Sequence, residues 1–449
     1  MSKTPLPLKV CISFVGISLC EVTIMTLINP ILPFMIEFYI KDSYNNVVPE
    51  DIISNNSGYL EGIYRLMQFF SSIWMSAFSD KVGRKLIIMT SLFMNLITSL
   101  ALGLCTSFEA AIIIRIISGL FAGSLPVSKS FIREITDDTN ISSLYGYFAL
   151  GVGLASSIGP FLSTLSKPAD TIGSIFDCEF FKSYPYFLPF SFNSFICLIV
   201  LILVYYCIPQ TKSKIIQRQS IKVLFSNKMY LSTVGIYGIN ASIQFAHILV
   251  FSLICKSAEN VGGIGIESED KVSIIQGFAG IFVIFLPTLL VPVINMKIGL
   301  IRSLICVETA FIPLFMTIFA CRNLFGIWKY ASLAVFYGIN NSCISIFILY
   351  LSICISNTVT SDILGAANGL SQAFISICRF ISTSTFGIIY GWSVTSGIAF
   401  PFIDASFSYI LLIILAICNL TIIITTLDPS VEHKKSIPAE IPLLEPSKI

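Results

Sequence analysis

Long apolar runs, interrupted by short polar or charged stretches, make up almost the whole chain. A helical bilayer crossing needs about 20 mostly apolar residues. Runs of that kind fall at 10–38, 57–79, 86–106, 109–132, 141–165 and 186–208. A polar, basic break follows, and six more runs lie at 229–255, 271–295, 303–321, 328–356, 361–391 and 405–427. The pattern predicts an all-α membrane protein with twelve transmembrane helices in two six-helix bundles. Residues 1–208 form the first bundle and 229–427 the second, with a cytoplasmic linker at 209–228 and a proline-containing, disordered cytoplasmic tail at 428–449. Two sixes joined by a linker are what internal duplication produces in secondary transporters. The first run is too long for a cleaved signal peptide and lacks a cleavage site, so it is taken as a spanning helix.

Charge sets the orientation. Lys3, Lys9, Lys81, Arg84, Lys85, Arg133, Lys212, Lys214, Arg218, Lys222, Lys228, Lys297, Arg302, Lys434 and Lys435 fall on one side of the twelve-helix path. The opposite loops are richer in acids, among them Asp42, Glu50, Asp51, Glu259, Glu267, Glu269 and Asp270. Cations concentrate in cytoplasmic loops, which places both termini in the cytoplasm of a plasma or vacuolar/endomembrane protein. Composition agrees: 55% of the 449 residues are hydrophobic and only 12% charged, where soluble domains carry about 25% charge. The net charge of +2 leaves no basic face for nucleic acid. The 13 cysteines are scattered through apolar runs without a C-x-x-C or a neighbouring histidine. They read as packing residues, so no metal site and no cofactor is expected. No G-x-x-x-x-G-K-[ST] loop is present for ATP and no H-E-x-x-H for an intramembrane enzyme.

Residues 76–85 hold a knot of charge, with Asp80, Lys81, Arg84 and Lys85 around Gly83. The order resembles G-x-L-[SA]-D-[RK]-x-G-R-[RK], the loop between helices 2 and 3 of the major facilitator superfamily, with Ser76 for the first glycine and Phe78 for the leucine. Asn295-Met296-Lys297-Ile298-Gly299 repeats it in eroded form in the second half. Arg115 and Gly119 match the superfamily's helix 4 pattern. Ala155, Gly159 and Pro160 resemble the G-x-x-x-G-P pattern of proton-driven antiporters, with alanine replacing the first glycine. The block Tyr186-Phe187-Leu188-Pro189, then Asn340-Asn341-Ser342, Asn368-Gly369, Gln372, Arg379 and Gly391-Trp392, is similar to the zinc-induced-facilitator-like group. The chain has two histidines, His247 and His433, and lacks the histidine-rich central loop of plant members. The resemblance implies alternating access by a monomer. Asp80 is then expected against the start of helix 11, near Ser361 and Asp362, with Arg84 paired to Glu134, Asp137 or Asp138. Gly159-Pro160 is expected to kink helix 5 and let helices approach closely.

Intramembrane charges are costly and therefore point to function. Glu21 and Arg115 are the candidate proton-coupling pair. Glu21 either loads and releases a proton or forms a permanent ion pair with Arg115 that only fixes packing. Glu61, Arg65 and Gln68 share one face of helix 2, with Glu61–Arg65 expected at the non-cytoplasmic mouth. Asn240, Gln244 and His247 share a face of helix 7, and Asn368, Gln372, Ser376 and Arg379 a face of helix 11. With Asn341 these are expected to line a water-filled substrate cavity, the competing reading being hydrogen bonds between helices. Glu308 is a further buried acid without an evident partner. The function expected is a proton-coupled antiporter of a small organic solute, drug-like molecule or metal chelate, with protons, solute and lipid as its partners. An uncoupled facilitator, a proton symporter or a transport-dead sensor are the alternatives.

Overall fold

The computed structural model describes residues 6–45, 47–137, 140–171, 173, 176–210, 222–359, 363–397 and 404–428. Among these, the long helices are α1 (Leu8–Ile40), α2 (Glu50–Val82), α3 (Arg84–Gly103), α4 (Phe108–Leu120), α5 (Ser124–Ile135), α6 (Ile141–Ser163) and α7 (Phe187–Cys207) in the first half. The second half has α8 (Lys228–Lys256), α9 (Glu269–Ile298), α10 (Leu300–Arg322), α11 (Ile327–Thr358), α12 (Leu364–Thr395) and α13 (Phe407–Thr426). The fold is the expected twelve-helix, two-bundle membrane architecture. Eleven crossings are long and apolar enough by composition alone, with α4 and α5 counting as one. The twelfth, α2, has 33 residues but carries Glu50, Asp51, Glu61, Arg65, Asp80 and Lys81. It begins at Glu50 rather than at 57, because Pro49 and the acids of the first turn favour a helix start there.

One predicted helix is broken. The run expected as 109–132 is interrupted at residues 121–123, between α4 and α5. Pro126 has no N–H for the Ala122 carbonyl four residues back. Gln68 Nε2 donates to that carbonyl at 3.5 Å, and Ser91 Oγ donates to the Phe121 carbonyl at 2.6 Å. Side chains from neighbouring helices thus meet the backbone groups a bilayer would leave unsatisfied.

The joints between adjacent helices show the internal repeat. Gly83 joins α2 to α3 with φ 102° and ψ 148°, and Gly299 joins α9 to α10 with φ 80° and ψ 173°. Both conformations are open to glycine and strained for residues with a Cβ.

Burial divides the apolar interior into three cores. One uses first-half residues alone, including Phe14, Ile88, Phe131 and Val204. A second uses second-half residues alone, including Tyr230, Leu304, Tyr350 and Ile423. Both lie toward the face that carries the described chain ends. The third, toward the opposite or far face, is shared: Ile28, Ile31 and Tyr186 pack in one cluster with Val250, Phe315 and Tyr409. The halves are therefore fused at the far face and have separate cores at the terminal face.

Glycines make the fusion close. A Cβ on Gly58 of α2 would come within 2.7 Å of the Thr383 carbonyl oxygen of α12, and one on Gly387 within 2.8 Å of the Ser54 oxygen. Gly280 of α9 faces the Ser156 carbonyl of α6 at 2.2 Å by the same measure. Polar contacts reinforce this end. Lys256 Nζ lies 3.1 Å from Glu37, and Ser257 Oγ donates to Glu50 at 2.9 Å. Ser163 Oγ donates to Ser273 at 3.1 Å, and Tyr186 OH donates to Glu269 at 3.2 Å. The Lys329 ammonium of α11 hydrogen-bonds Glu259 in the loop after α8 at 2.7 Å and holds that carboxyl below its ordinary range.

Candidate functional site

The charged centre of the first half lies on α2 and α4. Arg65 donates from Nε to Glu61 Oε1 at 2.9 Å, with a second, shorter contact from its terminal nitrogen. Arg115 donates to the other oxygen, Glu61 Oε2, at 2.7 Å. One carboxylate thus bridges two guanidiniums, and all three side chains are almost fully buried. Helical spacing explains the first contact, since residues four apart are neighbours; the second needs α4 packed on α2. Gln68 Oε1 accepts from Arg65 at 3.3 Å. This corrects two expectations: Arg115 pairs with Glu61 rather than Glu21, and the Glu61–Arg65 pair is buried rather than standing at a mouth.

Glu21 on α1 is 3% exposed, and neither of its carboxylate oxygens has a hydrogen-bond partner. Its surroundings include the backbone of Ser124 and Leu125, where α5 begins, and the charge of Arg65. A small cavity reaches it, lined also by Tyr64, Ser91, Asn95 and Ala122. A carboxyl group without an ion-pair partner therefore sits beside the break in the fourth crossing, at a helix N-terminus where negative charge is favoured.

The second half contributes differently from the sequence expectation. Arg379 of α12 stands over the Phe245 ring of α8 at 4.5 Å, and Arg65 of α2 lies over the same ring at 4.2 Å. Phe245 is therefore held by one guanidinium from each half. Asn240 is buried with both side-chain polar atoms unpartnered, and Gln244 Oε1 is likewise unpartnered. Asn368 and Gln372 are half-buried along α12.

His247 is not with them. It is enclosed by Phe251, Phe315, Tyr337 and Tyr409, with ring centroids at 5.1–6.3 Å. That is an aromatic packing site within the second bundle. Asn341 turns back on its own helix, donating to the Tyr337 carbonyl at 2.9 Å. Glu308 does have a partner, since Asn419 of α13 donates to it at 3.0 Å.

At the terminal face, Arg84 lies 2.5 Å from Asp80 and 3.0 Å from Glu134. Asp80 is thus engaged at its own helix end, while Ser361, Asp362 and Asp138 lie outside the described residues, as do the side chains of 295–297 and most of the linker and tail. Lys85 Nζ donates to the Tyr205 carbonyl at 2.6 Å. Gly159 packs α6 on α1 so closely that a Cβ would come within 2.1 Å of Thr26 Oγ1, and Thr26 donates to the Ala155 carbonyl at 2.7 Å. The helix continues through Pro160.

Three residues of this centre were not singled out from sequence. Lys129 is an intramembrane cation by the argument that selects Arg115, and its place between Pro126 and Arg133 was the available signal. Its charge interacts with that of Arg379. Phe245 and Tyr64 look like ordinary apolar positions in sequence, and only the assembled helices show cations over their rings.

The Major Facilitator Superfamily pattern matches residues 14–384. The protein ZINC INDUCED FACILITATOR-LIKE 1 of Arabidopsis thaliana is 26% identical over 84% of this chain and 83% of its own length. The efflux pump azaK of Aspergillus niger is 22% identical over 74% of this chain and 72% of its length. Among solved structures, a D-xylose-proton symporter superposes with a TM-score of 0.71, at 13% identity, over 94% of this chain and 98% of that one. With the family pattern spanning most of its length and a fold to match, the chain belongs to the major facilitator superfamily of membrane transporters.

Proposed function

We propose that this transporter couples the passage of a small organic solute, drug-like molecule or metal chelate to protons, as an antiporter, with Glu21 carrying the proton. The reading rests chiefly on the contrast between the two central acids. Both Glu61 oxygens are occupied by guanidiniums, so protonating it would break an existing network. Glu21 has no ion-pair partner, and only the backbone N–H groups of Ser124 and Leu125 approach it, so gaining or losing a proton there breaks no ion pair. The small cavity at Glu21 and the helix break beside it are suited to passing a proton as the halves rock, in the way discontinuous helices serve other carriers. The shared far-side core and the two separate terminal-side cores support alternating access, with this conformer closed at the far face. By the cation bias, the terminal face is the cytoplasmic one.

The test is proton flux in proteoliposomes, wild type against Glu21→Gln, over a panel of small organic solutes and zinc chelates. A solute gradient is expected to drive protons through the wild type. The mutant should bind the same solute and move no protons with it. Proton movement at the wild-type rate in Glu21→Gln would sink the assignment and leave an uncoupled or differently coupled carrier.

A further inference from the structure

The charges at the centre do not balance. Away from the helix ends, the crossings bring four cations to this region: Arg65, Arg115, Lys129 and Arg379. They face two carboxylates, Glu61 and Glu21. Glu61 is used up in bridging Arg65 and Arg115, and Glu308 is turned to Asn419 on the other side of the second bundle. Among the described residues neither Arg379 nor Lys129 is ion-paired to a carboxylate; Arg379 has the cation Arg65 as a neighbour along with Tyr237 and Tyr64, and Lys129 has Arg379. The surplus persists even with Glu21 ionised, and it grows by one whenever Glu21 holds a proton.

An unpaired ion in a bilayer interior persists only where water or a counterion reaches it. Arg379 and Lys129 are half-buried rather than sealed, so part of each side chain is accessible. Arg379 Nε is buried without a hydrogen-bond acceptor, and the Asn240 amide, five residues before Phe245 on α8, is also unpartnered. Phe245 meanwhile fixes the Arg65 and Arg379 guanidiniums on its ring. Free donors, surplus positive charge and an aromatic ring thus meet between α2, α5, α8 and α12. Guanidinium forks match a carboxylate bidentately. A ligand held there would also touch both halves.

We propose that the substrate is a small organic anion, a carboxylate borne on an apolar or aromatic body, whose charged group is taken by Arg379 and Lys129 between the two halves. This deepens the transport reading above and rests on it for the site, but it does not depend on proton coupling. The competing source of a carboxylate or phosphate group, an anionic lipid headgroup entering from the side, is separated by working in phosphatidylcholine alone and then adding phosphatidylglycerol.

The experiment uses the purified full chain and a panel of aromatic carboxylates, each paired with its neutral amide and its primary amine. Binding is read as thermal stabilisation in neutral detergent, and transport as solute uptake into phosphatidylcholine vesicles. Carboxylates are expected to stabilise and enter, while their amides and amines do neither. Arg379→Gln and Lys129→Gln should each weaken carboxylate binding by about tenfold or more, the loss of one charge-assisted hydrogen bond, and Arg379→Lys should recover part of it. Stabilisation by amines or amides to the same degree, by no carboxylate at all, or equally in Arg379→Gln and Lys129→Gln, would overturn the proposal. So would competition by phosphatidylglycerol without solute uptake, which would assign the site to lipid. Carboxylate uptake without proton movement would instead leave the anion site standing and defeat the proton-coupling reading.

Discussion

Glu61 is the residue on which the charged centre hangs. It holds Arg65 and Arg115 in a region with little water, so neutralising it leaves two buried guanidiniums facing each other. Breaking a buried pair from one side costs about 3–5 kcal/mol. Glu61→Gln is therefore expected to lower the thermal stability of the purified protein more than Glu21→Gln does, because no partner is orphaned at Glu21. Equal losses, read by thermal denaturation in one detergent, would mean that the Glu61 bridge contributes little. The sequence marked Glu21, Glu61, Arg65, Arg115 and Arg379 because charge is rare inside a bilayer, and that logic is independent of topology. It mispaired Arg115 because pairing depends on which helices pack together. Arg115 could be matched to an acid on α1 or on α2 with equal plausibility until α4 was placed against α2. His247 failed for a related reason: helical spacing puts it roughly in line with Asn240 and Gln244, yet the aromatic residues around it come from α10, α11 and α13.

At the scale of the element, the informative feature is the interrupted fourth crossing. Hydropathy runs unbroken through residues 109–132, so a reading by apolar length passes over it. The signal that was available is Pro126, which leaves the Ala122 carbonyl without its helical donor. The proline itself falls in the first turn of α5, where it is well tolerated. Pro126→Ala restores the missing N–H and allows α4 and α5 to run on as one helix. A first-turn proline costs its helix little, so the substitution should leave thermal stability unchanged or raise it slightly. If the break serves Glu21, solute-driven proton flux should nonetheless fall by about tenfold, a barrier change of about 1.4 kcal/mol. Stability and flux moving in opposite directions distinguish a functional break from a structural accident, and unchanged flux would show that Glu21 does not use it. The glycine joints carry the opposite lesson. Gly83 and Gly299 take matching conformations although the sequence around the second has drifted, so the repeat persists in the backbone after its side chains have diverged.

For the molecule as a whole, the question is what holds the far face shut. The ion pair of Lys256 with Glu37 is half open to solvent on the acid's side, and exposed pairs contribute about 0–1 kcal/mol. The Ser257–Glu50 and Ser163–Ser273 hydrogen bonds contribute about 1 kcal/mol each. Close helix contact is the stronger constraint, because at Gly280 the obstacle to a side chain is the Ser156 carbonyl, and backbone cannot swing aside as a rotamer would. Gly280→Val should therefore wedge α6 from α9 and shift the population toward conformers open at the far face, more than Glu37→Gln does. Cys255, fully buried in the shared core beside Lys256, is a built-in reporter of that opening. In a background where Cys255 is the only cysteine, maleimide labelling should be slow in the parent and about tenfold faster with Gly280→Val, corresponding to a population shift of about 1.4 kcal/mol. Glu37→Gln should accelerate it by no more than a few-fold. Labelling that stays slow in Gly280→Val, with the protein folded and monodisperse, would show that the two halves do not separate at α6 and α9. Rocking about the centre would then give way to a local gate made by the far-side loops. Labelling that rises equally in both variants would shift the weight from helix packing to the polar latch, and the far face would become a gate controlled by charge.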